Sequence, residues 1–117
     1  MLTRMTANTF TVEYYSERVE EDVLALPKTL AIRYAALTLR MTSFGPDLGA
    51  PHSTAFGGGL FELRLKGAEG IGRVFYCTRI GRRIVMLHCF IKKTDKTPLR
   101  EKRIAEQRLK EVRNENP

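Results

Sequence analysis

Residues 60–92 read LFELRLKGAEGIGRVFYCTRIGRRIVMLHCFIK. Three runs of strand-forming residues, Leu60–Lys66, Ile71–Thr78 and Arg82–Lys92, are divided by Gly67-Ala68-Glu69-Gly70 and by a turn near Ile80-Gly81. A four-residue first loop pairs Lys66 with Ile71, Arg64 with Arg73 and Glu62 with Phe75. Paired residues share a face of the sheet and successive residues alternate. Phe61, Leu63, Leu65, Val74 and Tyr76 therefore gather on the opposite, apolar face. In the second hairpin, a two-residue turn at Ile80-Gly81 pairs Arg73 with His88, and a turn one residue further on pairs it with Phe90. Both registers put His88, Phe90 and Lys92 beside Arg73, and both send Val85, Leu87, Cys89 and Ile91 to the apolar side. A one-residue slip would exchange the faces, so burial fixes the register. The expected sheet has an apolar face for helices and, away from them, a polar face of Glu62, Arg64, Arg73, Phe75, His88, Phe90 and Lys92.

Upstream, Phe10, Val12 and Tyr14 alternate with polar residues, which predicts a first strand. Ser16 suits the N-cap of a helix carrying Val19, Val23 and Leu26 and halted by Pro27. A second helix is expected from about residue 28 to residue 42, with Leu30, Tyr34, Leu37 and Met41 at helical spacing and Gly45-Pro46 closing it. Residues 45–59, with Gly45, Pro46, Gly49, Pro51 and Gly57-Gly58-Gly59, read as a loop. These glycines lead into a strand and lack the Gly-Lys-Ser/Thr of a phosphate-binding loop. Downstream, Thr97-Pro98 opens a helix with Ala105, Leu109 and Val112 on one face. The order βααβββα gives an α+β domain: one small antiparallel sheet, a helical hairpin and a C-terminal helix.

The 117 residues suffice for one domain, spanning 1–117 with residues 1–8 as a flexible arm. Twenty Lys/Arg against thirteen Asp/Glu give a formal charge of +7, which favours anionic partners such as nucleic acid. From Lys92 to Arg113 nine Lys/Arg face four Asp/Glu, so the excess concentrates beside the polar end of the sheet. No apolar run approaches the roughly 18–20 residues of a membrane span, and the N-terminus lacks a signal-peptide core. Cys77 and Cys89 fall on consecutive strands at a separation too great for a disulfide, which suggests free thiols in a reducing cytoplasm. Two scattered histidines and no acidic cluster predict neither a bound metal nor another cofactor.

Arg64 beside Arg73 is the informative pair, because like charges directly opposite one another destabilise a sheet. Glu62 could bridge them on a solvated surface. With Phe75, Phe90 and Lys92-Lys93 nearby, the face also suits RNA phosphates and stacked bases.

Leu60-Phe61-Glu62-Leu63-Arg64, Gly72-Arg73-Val74-Phe75-Tyr76 and Leu87-His88-Cys89-Phe90-Ile91-Lys92-Lys93-Thr94-Asp95-Lys96-Thr97-Pro98 together resemble the phage-derived, HigB-like branch of the RelE/ParE toxin superfamily. The likeness runs from about residue 10 to residue 108 in the correct element order. It implies the small α+β fold and a toxin restrained by a cognate antitoxin of helix-turn-helix type. RelE and HigB members are ribosome-dependent mRNA endonucleases, so ribosome and mRNA are the implied partners; ParE-like members act on DNA gyrase by contact. An inactive phage relic that only binds its antitoxin is a third reading. By position, Arg73 matches the arginine that contacts the scissile phosphate and Arg64 the basic residue at the end of the preceding strand. Lys92 and Lys93 match the basic residues after the last strand. Glu62 departs from the lysine of RelE itself, and the tyrosine that completes some RelE sites has no counterpart here.

Metal-free RNA cleavage activates a 2′-OH against the adjacent phosphate, and it needs phosphorane stabilisation, a proton acceptor and a proton donor. Arg73 and Arg64 suit the first task through bidentate guanidinium contacts. Lys92 and Lys93 could add charge or protonate the leaving oxygen. Glu62 or His88 could serve as base, imidazole being the better suited at neutral pH. Lys66, Phe75, Phe90, Lys92 and Lys96 complete the expected RNA-binding surface.

Overall fold

The computed structural model describes residues 9–92 and 98–115. Its elements run β1 (Thr11–Tyr14), α1 (Glu17–Leu24), α2 (Lys28–Phe44), β2 (Ser53–Gly57), β3 (Leu60–Gly67), β4 (Gly70–Arg79), β5 (Arg83–Lys92) and α3 (Leu99–Glu115). The expected arm at 1–8, the cap at Thr97, and Lys93 and Lys96 lie outside the described residues. The α+β class is as expected, with a five-stranded sheet in the order β1-β5-β4-β3-β2.

β3 and β4 pair with Lys66 opposite Ile71, Arg64 opposite Arg73 and Glu62 opposite Phe75, the register that the four-residue loop predicts. β4 and β5 adopt the second of the two expected registers at their far end, with Arg73 opposite Phe90. Nearer the turn the register shifts: Phe75 faces His88 while Tyr76 faces Met86, which leaves Leu87 as an extra residue. This bulge changes the phase of the strand. Ile84, Met86 and Cys89 join the cluster beneath α1 and α2, whereas Val85 and Leu87 join Leu60, Phe75 and Cys77 on the other face. Val85 and Leu87 are therefore not on the side expected for them.

Three further features correct the sequence reading. β1 pairs with β5 in parallel, so the sheet is mixed. Ser53–Gly57, inside the expected loop, forms an antiparallel edge strand against β3. The helices also cover both faces. α1 and α2 pack on Leu63, Leu65, Val74 and Tyr76, while Ala105, Leu109 and Val112 of α3 pack on Leu60, Phe75, Cys77, Val85 and Leu87. The second face is thus divided along its length into an apolar half under α3 and a charged half beyond it. Full burial of each large aliphatic side chain contributes about 1.5–3 kcal/mol, so both clusters are needed for a domain this small.

Ser16 caps α1 as expected, its hydroxyl accepting from the Val19 amide at 3.2 Å. α2 follows Pro27, which supplies no side-chain cap. Its cap comes instead from the β3–β4 turn. The Glu69 carboxylate accepts from the Thr29 hydroxyl, and its second oxygen lies 3.4 Å from the Thr29 amide. Thr29 Oγ1 in turn accepts from the Ala68 amide at 3.0 Å. Gly67 permits this approach, since a Cβ there would lie 2.4 Å from Thr29 Oγ1. The Thr29 hydroxyl holds the Glu69 carboxyl below its ordinary value of 4.5. A depressed carboxyl contributes stability above its unfolded value, and that contribution disappears as pH falls through the folded one. Glu69→Ala should accordingly lower the melting temperature at pH 7, and the difference from the parent should close toward pH 3 in thermal melts.

Cys77 and Cys89 are free thiols buried in opposite clusters. Burial pushes Cys77 up to about 11 and Cys89 up to about 12. Only the thiolate reacts with disulfide reagents. Neither cysteine should therefore label at pH 8 in the folded protein, and both should label at once in denaturant, as thiol titration would show.

Candidate functional site

The charged half of the sheet is a grid of three cross-strand rows from β3, β4 and β5. The rows are Lys66–Ile71–Lys92, Arg64–Arg73–Phe90 and Glu62–Phe75–His88. Side chains two residues apart share a face, so all nine point toward the α3 side. Neighbours in a row stand about 5 Å apart and successive rows about 7 Å, which makes the grid nucleotide-sized. Four cations, Arg64, Lys66, Arg73 and Lys92, stand there against the single carboxylate of Glu62. Those expected residues that are described stand on one face, which α3 shares rather than leaving free of helices; Lys93 and Lys96 lie outside the described residues.

Arg73 Nη1 donates to Glu62 Oε1 at 2.5 Å, with the two side chains 8% and 2% exposed. Glu62 thereby offsets the like-charge contact between Arg73 and Arg64. Such a pair is stable only if its remaining polar atoms are also satisfied. Arg73 Nε is buried without a hydrogen-bond partner among the described residues, a donor aimed at no protein acceptor. Lys92 is also buried, Arg64 is half-buried and Lys66 is exposed.

His88 stacks on Phe90 with ring centroids 5.6 Å apart, and Phe90 stacks on Phe75 at 5.9 Å. Phe75 is fully buried and offers no ring face to a base, which corrects its expected stacking role. Phe90 is half-buried. His88 Nε2 lies 2.6 Å from Glu101 Oε1, and His88 Nδ1 lies 3.5 Å from Arg108 Nη1. A carboxylate can only accept and a guanidinium only donate, so Nε2 carries the proton and Nδ1 is the basic nitrogen. The firm bond fixes the ring, and the long one is the contact that yields most easily.

Glu101 and Arg108 were not anticipated. They share a helical face with the buried Ala105, Leu109 and Val112, at spacings of three, four and seven residues, and that placement was a usable signal. Arg108 also donates to the Leu87 carbonyl at 2.7 Å and lies 4.9 Å over the Tyr15 ring. Lys102 Nζ sits 4.7 Å over Phe56, and the Tyr15 hydroxyl donates to Glu111. Polar contacts along its length thus hold α3 beside the grid. Among the described residues no three His, Cys, Asp or Glu side chains assemble into a metal-ligating group, and no helix is long and apolar enough to cross a membrane.

Fold and grid define a small α+β domain, compatible with a RelE-like fold, that carries a cationic sheet face beside its terminal helix. No curated protein matches the sequence. The model of the family described as Phage derived protein Gp49-like (DUF891) matches residues 21–110, and the chain belongs to that family. It is a RelE-like family associated with toxin–antitoxin systems.

Proposed function

We propose that the protein is the toxin of a toxin–antitoxin pair, of the HigB-like branch, and that it cleaves mRNA on the ribosome without a metal ion. The supporting observation is the grid: four cations against one carboxylate, with a hydrogen-bonded histidine in the adjoining row. Arg64 and Lys66, the more accessible cations, engage backbone phosphates, and Phe90 supports a base. Arg73, held by Glu62 and with Nε unpartnered, stabilises charge on the phosphorane oxygens. His88 Nδ1 exchanges Arg108 for the substrate and takes the 2′-OH proton, while Glu101 steadies the resulting imidazolium. The 2′-oxygen bonds to phosphorus, the P–O5′ bond breaks, and the leaving oxygen takes a proton from Lys93 or solvent. The products are a 2′,3′-cyclic phosphate and a 5′-hydroxyl.

A translation reaction with purified protein, mapped for mRNA cuts with and without ribosomes, tests this reading. Cuts that require ribosomes and persist in chelator are expected. Absence of cutting under both conditions would sink it, and inhibition of DNA supercoiling instead would favour action on gyrase.

A further inference from the structure

α2 is apolar on two sides. Leu30, Tyr34, Leu37 and Met41 face the core. Ile32, Ala35, Ala36 and Leu39, at spacings of three, four and seven residues, face outward, with Ile32 60% and Leu39 69% exposed. The exposed Lys28, Arg33 and Arg40 also stand on the outward side of α2, and an exposed apolar stripe among them marks a surface that a partner covers. Leu24 of α1, 77% exposed, extends the same surface. Between α1, α2 and β1 this surface folds into a cleft of about 490 Å³, lined by residues that include Val12, Val23, Leu24, Ala31, Tyr34 and Leu39. The Tyr14 and Tyr34 hydroxyls, 2.8 Å apart in its wall, bond to one another.

The rim has its own sign. Glu17, Glu20 and Glu21 stand seven, four and three residues before Leu24, on its face of α1, and all three are exposed. These three carboxylates stand out on a chain of net charge +7 whose α2 exposes Lys28, Arg33 and Arg40, and they favour basic residues on the part of a partner that lies over α1. Ala31 and Ala35, one helical turn apart in the lining, let a helix backbone come close.

We infer that this cleft is the seat of the antitoxin, which lays an amphipathic helix in it with basic residues against the α1 rim; the inference rests on the toxin reading above. The cleft lies across the sheet from the cationic grid, so a seated partner leaves the grid uncovered and acts by its bulk.

The probe is the small protein encoded immediately beside this chain, purified and titrated against the full chain. Leu24 and Leu39 are exposed, so the Leu24→Glu/Leu39→Glu variant should keep the parental melting curve. Its affinity should fall about 100-fold or more. Glu17→Lys/Glu20→Lys/Glu21→Lys should bind about tenfold more weakly and with a shallower salt dependence, whereas Arg64→Glu, across the sheet, should bind as the parent does. Parental affinity in the leucine variant overturns the proposal, as does failure of the adjoining protein to bind. A parent chain that dimerises alone, and that the leucine substitutions dissociate, also overturns it by assigning the cleft to a second copy. mRNA cutting by the free chain is scored separately, so loss of the toxin reading and loss of the cleft assignment leave different records.

Discussion

Arg73→Ala should reduce mRNA cutting by about 10²–10³-fold, the loss typical of removing one charge-stabilising donor. It should also destabilise the fold by about 3–5 kcal/mol, because it removes the guanidinium bonded to the Glu62 carboxylate, which is only 2% exposed. The two losses have different origins and can be separated. Replacing both partners, as Glu62→Leu/Arg73→Met, removes this ion pair as a unit, leaves Lys92 in place and should restore part of the stability, since apolar pairs of similar volume replace buried ion pairs at little cost. Cutting should remain lost. A double variant that folds like the parent and cuts at the parental rate would show that Arg73 serves the fold alone. Denaturant melts and a cleavage assay on the same preparations decide between these outcomes.

His88→Gln should lower cutting by about 10²–10⁴-fold, the range of a general acid–base group. The more telling variant is Glu101→Gln, which can still accept from His88 Nε2 but no longer stabilises an imidazolium. It should cut about tenfold more slowly and shift the acidic limb of the pH–rate profile, and in His88→Gln that limb should be missing. If the pair only fastens α3 to the sheet, both variants will lower the melting temperature and leave the shape of the profile unchanged. That result would remove His88 from the mechanism.

The fold was legible where alternation is clean and lost where it is not. Phe61 to Lys66 and Ile71 to Tyr76 alternate with one face apolar, so one loop length sufficed to pair Arg64 with Arg73. Ile84 to Leu87 is apolar at every position because helices cover both faces there, and a strand buried on both sides carries no period from which to find a bulge. Val85 and Leu87 were misplaced for that reason. β2 was missed because its Thr54, Ala55, Phe56 and Gly57 are all exposed along an edge, amid glycine and proline. The stripe on α3 was legible, but not the face it covers. That choice depends on Leu60, Phe75, Cys77, Val85 and Leu87 closing into one patch, which the bulge brings about. Among site residues the grid was readable from register, whereas helical spacing put Glu101 on the buried face of α3 but did not show that it meets His88.

The parallel pairing of β1 with β5 has a consequence for synthesis. Among the described residues, β1 is the first strand along the chain and has its only strand partner in β5, the last, which itself lies between β1 and β4. Every earlier intermediate therefore holds Thr11–Tyr14 unpaired, and the sheet cannot close until residues 83–86 have emerged. This sheet is therefore completed in a late step rather than from β1 onward.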